Sequence, residues 1–212
     1  YYKEEFMAAT LNSFLGNLDK IPEYIDECKK MNIEILKPDI NKSFTKFTVE
    51  DGKIRFGLGS IKNVGLAVLD AIVKNREENG KFKDLADFCE RMQNDSVNKK
   101  CIESLIKSGA MDEFNQTRAT LLASFEDIVD SINTASKHSF KGQITMFDMG
   151  GDCEEDLDKI KYNYTILEEY SEKELLSMEK EMLGLYITGH PLESIRTEIE
   201  SQTNINTLKI IE

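Results

Sequence analysis

Hydrophobic positions along this chain recur with two different periods, and the switches between them outline its organisation. The opening "YYKEEFMAATLNSFL" reads as helix from its outset, and in "LDKIPEYIDECKKMNIEIL" Ile21, Tyr24, Ile25 and Cys28 return at helical spacing. Asp19 stands where a cap is expected, Pro22 suits a first turn, and Pro38 breaks the run. The period then falls to two. In "KFTVEDGKIRFGL", Phe47 and Val49 alternate with polar residues, Asp51-Gly52 supplies a tight turn, and Ile54, Phe56 and Leu58 resume the alternation. That pattern predicts a hairpin with one apolar face.

Helical spacing follows in short pieces. Leu66, Leu69, Ile72 and Val73 form one stripe before Gly80, while Leu85, Phe88, Cys89 and Met92 form a second. Ile102, Leu105 and Ile106 form a third before Gly109, and a longer helix after Thr117 turns Leu121, Leu122, Phe125, Ile128, Val129 and Ile132 inward. From about Asn133 to Asn163 the periodicity fades, glycines appear and "DCEEDLD" concentrates like charges, the composition of a mobile linker. Order returns where Ser171 and Glu174 stand in capping-box register and Leu175, Met178 and Met182 make a stripe. A short helix is expected from Pro191, and "TLKIIE" reads as a strand beginning. The predicted fold class is mainly α with one small β-hairpin in a multi-helical chain.

Charge narrows the function. A formal net charge of -12 argues against a protein that coats nucleic acid with its whole surface, so any such contact must be local. No run of about 18 apolar residues and no charged-then-apolar leader is present, so no membrane partner is expected and the chain reads as cytoplasmic. Its first residue is Tyr, which suggests a piece of something longer. Cys28, Cys89, Cys101 and Cys153 form no close pair and His138 and His190 lie far apart, so no metal site is expected and the thiols read as packed and reduced.

Between the second strand and the helix from Leu66 lies "GSIKNVG", Gly59, Ser60, Ile61, Lys62, Asn63, Val64 and Gly65. This resembles the helix-hairpin-helix motif, whose tight turn of Gly, apolar, Gly aims backbone N–H groups at a DNA phosphate. A residue without a bulky side chain lets the backbone approach, and the following helix offers its positive end. Here Asn63 stands where the motif usually has Gly, and Val64 would be the inward plug. Around the turn Lys53, Arg55, Lys62, Lys74, Arg76, Lys81 and Lys83 outnumber Asp70, Glu77 and Glu78. An ordinary helix-helix turn with a solvated basic surface reads the same residues without DNA. A second copy is expected around Ser108, Gly109 and Ala110, with Asp112 and Glu113 making it a poor seat for an anion.

"KGQITMFDMG" places Ile144, Met146, Phe147 and Met149 in the predicted linker. Such a segment can offer Gln143 to polar groups at a pocket rim and bury Met146 and Phe147 in a partner's cleft, or it can fold back on its own helices. The segments "EEFMAATLNS", "DECKKMNIEILKPDIN", "IRFGLGSIKNVG", "LIKSGAMD", "GQITMF" and "LGLYITGHPL" occur in the order found in the alpha subunit of bacterial DNA polymerase III, the replicative C-family polymerase, which essentially the whole chain resembles. The resemblance implies the end of a fingers domain over 1–50, tandem helix-hairpin-helix over 51–132, a linker with a clamp-binding motif over 133–165, and a helical lead-in to an OB-fold over 166–212. It identifies Gln143, Ile144, Thr145, Met146 and Phe147 with the motif for the beta sliding clamp. The implied partners are double-stranded primer-template DNA, that clamp and other replisome subunits.

The resemblance also says what to leave out. DNA-directed polymerisation needs palm carboxylates holding two metal ions, Mg2+ in this family, and the palm motifs have no match here. No catalytic residue and no cofactor is therefore expected in this stretch, which would not synthesise DNA unaided. Asp39 in "KPDIN" follows Pro38 and reads as a turn residue. A helix-hairpin-helix DNA-repair enzyme is the rival reading, with Asp70 and Lys74 as its nearest acid and amine, and a scaffold without DNA affinity is the third.

Overall fold

The computed structural model of the chain describes residues 2–93, 97–140 and 162–191. Gln143–Phe147, the residues expected to form a clamp motif, the acidic stretch that follows, Cys153, the helix expected beyond Pro191 and the expected terminal strand lie outside the described residues. Among those described, the protein is mainly helical with a small three-stranded sheet.

Helix α1 (Lys3–Ser13) buries Met7, Ala8 and Leu11, and α2 (Ile21–Lys30) buries Ile21, Ile25 and Cys28. Asp19 does not cap α2. Residues 18–20 form a 3-10 turn that runs straight into the helix, so Lys20 at the cap position has helical torsions and no extended residue remains to cap from. Tyr24 instead stacks on Phe14, ring centroids 4.8 Å apart, and joins α1 to α2.

The expected hairpin is present as β2 (Thr48–Glu50) and β3 (Lys53–Arg55), with Asp51 and Gly52 at φ of 50° and 74° in the left-handed pair that a tight two-residue turn requires. The sheet also has β1 (Ile35–Leu36), parallel to β3, which makes β3 central in the order β1-β3-β2. A strand of two residues has no period to read. Ile54, Phe56 and Leu58 are buried as the alternation predicts, and Phe56 packs edge-on to Phe47 at 4.9 Å.

Helices α3 (Leu66–Asn79), α4 (Leu85–Met92), α5 (Lys99–Lys107) and α6 (Arg118–Phe140) follow, then α7 (Glu172–Leu183). The stripes of α4 and α5 are buried as expected. Two others turn out rotated. Leu66 is 61 % exposed while Arg76 is buried on α3, and on α7 Leu176, Glu179, Met182 and Leu183 point inward with Leu175 and Met178 half-buried. Helix α6 also runs on to Phe140, past the point where its apolar stripe fades. Beyond the undescribed stretch, the chain from Tyr162 is docked: the Thr165 and Leu167 N–H groups donate to the hydroxyls of Ser124 and Thr120 on α6 at 2.9 Å, and the Tyr162 hydroxyl reaches Glu90 of α4 at 2.6 Å. One apolar cluster runs from Met7 through Phe56 and Phe88 to Leu185.

The loop "PDIN" is stitched into this core by polar bonds. The Asp39 carboxylate accepts from the Asn41 N–H at 2.8 Å and Asn41 exchanges two bonds with the backbone of Phe82, so Asp39 is a turn residue and not an acid. Its carboxyl is raised by burial, against the opposing Asn41 N–H and Lys42 ammonium. Arg76, 9 % exposed, donates to the carbonyls of Ile40 and Ser43, both at 2.9 Å, and stacks over Phe44. Burial also pushes the thiols of Cys28, Cys89 and Cys101 up to about 11, about 12 and about 11, which leaves them protonated and inert at neutral pH.

Because Arg76 satisfies two carbonyls at once, Arg76→Met keeps the stem but orphans both. Urea unfolding should show a loss of about 2–3 kcal/mol, and a loss below about 0.5 kcal/mol would mean that the loop does not depend on this guanidinium.

Candidate nucleic-acid interface

The first candidate turn leaves β3 through Gly57 and a 3-10 turn at Leu58–Ser60. The N–H groups of Leu58 and Gly59 are donated to the carbonyls of Phe44 and Thr45, and a methyl on Gly59 would lie 2.7 Å from the Thr45 oxygen, so this glycine serves close packing inside the fold. Ser60 and Ile61 are 2 % exposed each. The sequence-predicted set is therefore split: Gly59, Ser60 and Ile61 face inward, while Lys62, Asn63 and Gly65 lie on the surface with Val64 half-buried against the core.

Asn63 takes φ +65°, the conformation for which the motif's usual Gly is chosen. Gly65 differs. Its φ of -76° suits any residue and a methyl there would meet open space, so nothing among the described residues requires a glycine at the start of α3. No side chain caps this helix, and the N–H groups from Gly65 to Val68 have no acceptor among the described residues. By contrast α4, α5 and α7 are capped by the side chains of Asp84, Asn98 and Ser171, the last in the expected capping box. The start of α3 thus presents unspent donors and the positive end of a helix, with the exposed Lys62 beside it.

Beside this turn opens a cavity of about 960 Å³, lined by Leu15, Phe44, Val64, Leu66 and Val73 with Asp70, Lys74 and Glu77 among its polar lining. The expected surplus of positive charge here is smaller than the sequence suggests. Arg76 is turned into the loop described above, and Arg55, also buried, bonds the Glu50 carboxylate at 2.8 Å and the Lys37 carbonyl at 3.1 Å. Lys53 pairs with Glu34 at 2.7 Å. Lys62, Lys81 and Lys83 remain exposed, and Asp70 and Lys74 lie on the outer face of α3.

The second candidate turn is built the other way. Gly109, at φ +78°, ends α5 in a Schellman arrangement: the Ala110 N–H donates to Leu105 and the Gly109 N–H to Ile106, at 3.1 and 3.0 Å. Ser108 and Ala110 are 1 % exposed, and the Ala110 carbonyl accepts from Ile40 at 2.7 Å. Arg118 covers the turn, since a methyl on Gly109 would collide with its guanidinium. The guanidinium holds both oxygens of Asp112 at 2.8 and 2.9 Å and lies 3.7 Å from Glu179. Glu169 accepts from the Arg118 and Ala119 N–H groups at 2.8 and 3.3 Å, closing the start of α6 with the chain's own carboxylate. Ser108, Gly109 and Ala110 therefore correct the expectation of a second surface turn: their amides are spent on α5 and their surface is enclosed. Arg118, Glu169 and Glu179 carried no sequence signal, because the two glutamates meet Arg118 from far along the chain.

A scan against protein-family models matches residues 32–121, from before β1 into α6, to one described as the helix-hairpin-helix motif. Among curated proteins, the chain is 41 % identical over 207 residues to the DNA polymerase III subunit alpha of Borreliella burgdorferi, covering 98 % of this chain and 18 % of that protein. The corresponding subunit of Bacillus subtilis is 43 % identical over 209 residues, covering 99 % and 18 %, and that of Escherichia coli K12 is 37 % identical over 201 residues, covering 94 % and 17 %. The chain belongs to the DNA polymerase III alpha subunit family. It spans less than a fifth of the length of these family members. The rival reading as a repair enzyme gives way to this relationship. No helix among the described residues is long and apolar enough to cross a membrane.

The enclosure of the second turn makes Gly109→Ala costly: the backbone would hold a non-glycine residue at positive φ and push Arg118 off Asp112. A loss of about 2 kcal/mol or more is expected in denaturant unfolding, and a neutral substitution would contradict the arrangement. The Asp112 pair sets an acid limit as well. Burial alone would raise this carboxyl, but the Arg118 guanidinium and the Lys37 ammonium together hold it below the usual carboxylate range. Its contribution is present above the ordinary carboxylate value and fades as pH falls through the lowered one, so Asp112→Asn should flatten the stability profile below about pH 4. An unchanged acid slope would count against the pairing.

Proposed function

We propose that this chain is a non-catalytic portion of a replicative DNA-directed DNA polymerase that holds the backbone of duplex DNA through Lys62–Gly65 and tethers the enzyme to its sliding clamp. The observation that carries the DNA reading is the bare start of α3: unspent N–H groups from Gly65 to Val68, a glycine the fold does not need, and an exposed lysine. A phosphate oxygen is an acceptor of the right charge for such an end. The acidic remainder of the chain confines the contact to this turn, and binding of this kind is sequence-independent. Among the expected residues, Gly59–Ile61 then support the turn from inside, and Ser108–Ala110 brace it without touching DNA.

The clamp reading rests on the resemblance of Gln143–Phe147 to the family's motif. A weak contact on a long stretch of chain raises the local concentration of clamp, so release becomes a reversible local event and processivity follows. The other replisome subunits, a cytoplasmic site of action and Mg2+-dependent synthesis by palm carboxylates elsewhere in the longer protein complete the proposal.

Gly65→Asp tests the DNA contact cleanly. The backbone torsions there suit an N-cap, so Asp should cap α3 and add a few tenths of a kcal/mol to stability while placing a negative charge where the phosphate would sit. Duplex affinity in a low-salt fluorescence titration should fall at least about tenfold with the melting temperature held or raised; unchanged affinity would remove the assignment. For the tether, the double variant Gln143→Ala with Phe147→Ala should abolish binding to the purified clamp and leave the helical circular dichroism as it is. Retained clamp binding would refute that part alone.

A further inference from the structure

Four residues other than glycine have positive φ in the described chain, namely Asn32, Asp51, Asn63 and Asn115. Asn and Asp tolerate that conformation better than other residues with a Cβ, which accounts for all of them in the same way. Asn63 does something more. Its side-chain amide donates to the Oγ of Ser104 in α5 at 3.3 Å, whereas among the described residues no side-chain hydrogen bond joins Asn32, Asp51 or Asn115 to another element. Ser104 is 2 % exposed, and its hydroxyl hydrogen is already committed to the Lys100 carbonyl at 2.9 Å, so the oxygen is left as an acceptor for the Asn63 N–H. One residue earlier, the Lys62 N–H donates to the Met182 carbonyl at the end of α7 at 3.1 Å. The surface turn is thus held from two sides by elements distant in sequence.

We propose that Asn63 is a positioning residue: its side chain ties the turn before α3 to α5, and so fixes the direction of the Gly65–Val68 N–H groups relative to the second turn at Ser108–Ala110. A glycine at the same place would satisfy the backbone torsions but supply no tie. Asn exchanges a little conformational ease for a fixed orientation, and α5, which runs directly into the second turn, becomes the reference frame for the first. For DNA, this inference rests on the reading that Lys62–Gly65 meets a phosphate; the tie itself stands on the fold alone.

The test uses Asn63→Gly, Ser104→Ala and the double variant in the full chain, with two readouts. Amide hydrogen exchange at Lys62 and Leu69, whose N–H groups on either side of the tie are bonded to the Met182 and Gly65 carbonyls, should quicken several-fold in either single variant. Low-salt affinity for a short duplex should weaken about 3- to 10-fold, the size of one ordinary hydrogen bond. The double variant should be no worse than the weaker single, and the log-log salt slope should stay as in the unmodified chain because no phosphate contact is removed. Unchanged exchange in both singles would overturn the tie. A loss of affinity in Asn63→Gly with Ser104→Ala silent, or a shallower salt slope in Asn63→Gly, would also overturn it, since Asn63 would then act on DNA directly. If the unmodified chain binds no duplex at low salt, the DNA reading fails on its own, and the exchange data still decide the tie.

Discussion

A backbone N–H must find an acceptor, inside the protein or outside it, and the two turns of this chain meet that demand in opposite ways. At Gly109 and Ala110 the donors go back into α5, Arg118 closes the surface, and Glu169 supplies acceptors to the start of α6. At Gly65–Val68 no acceptor is supplied among the described residues, and the residue at the helix start has no side chain to cover the opening. The two turns share a sequence look, with small residues between an apolar stretch and a helix. They differ in where their hydrogen bonds end.

That difference depends on the elements packed beneath the turns. The loop carrying Asp39 and Asn41 bonds to Phe82 and to Ala110, and Arg76 gathers its carbonyls, so α3 and the second turn are joined through one buried polar knot. Asp112, Arg118 and Glu179 form a second knot. Glu179 accepts from the N–H groups of Ile187 and Thr188 and from the Thr188 hydroxyl at 2.8 Å, which draws the stretch "GLYITGHP" onto the end of α7. Since α7 also accepts from Lys62, residues far along the chain help to place the exposed turn.

Much of this was legible in the sequence, and the rest was hidden for identifiable reasons. The stripes of α4 and α5, the Asp51-Gly52 turn and the Ser171 capping box are local patterns, and all of them formed. Patterns with long-range partners were misread. Arg55 and Arg76 looked like surface charge because the carbonyls that bury them come from residues 37–43, outside any helical or strand period. The inward face of α7 was misplaced because Glu179 is buried against Arg118, a polar contact that hydrophobic spacing does not register. For the site, the position of both turns was readable from Gly and Asn, but whether their surface is open was not, since Arg118 covers the second turn from the start of α6.

The most direct test of the account is amide chemical-shift mapping of the chain during titration with a short duplex at low salt. Perturbation should concentrate on Lys62 and on Gly65–Val68, with the amides of Ser108–Ala110 unmoved. Shifts centred on the second turn, or none at the start of α3 under conditions where the duplex binds, would contradict it.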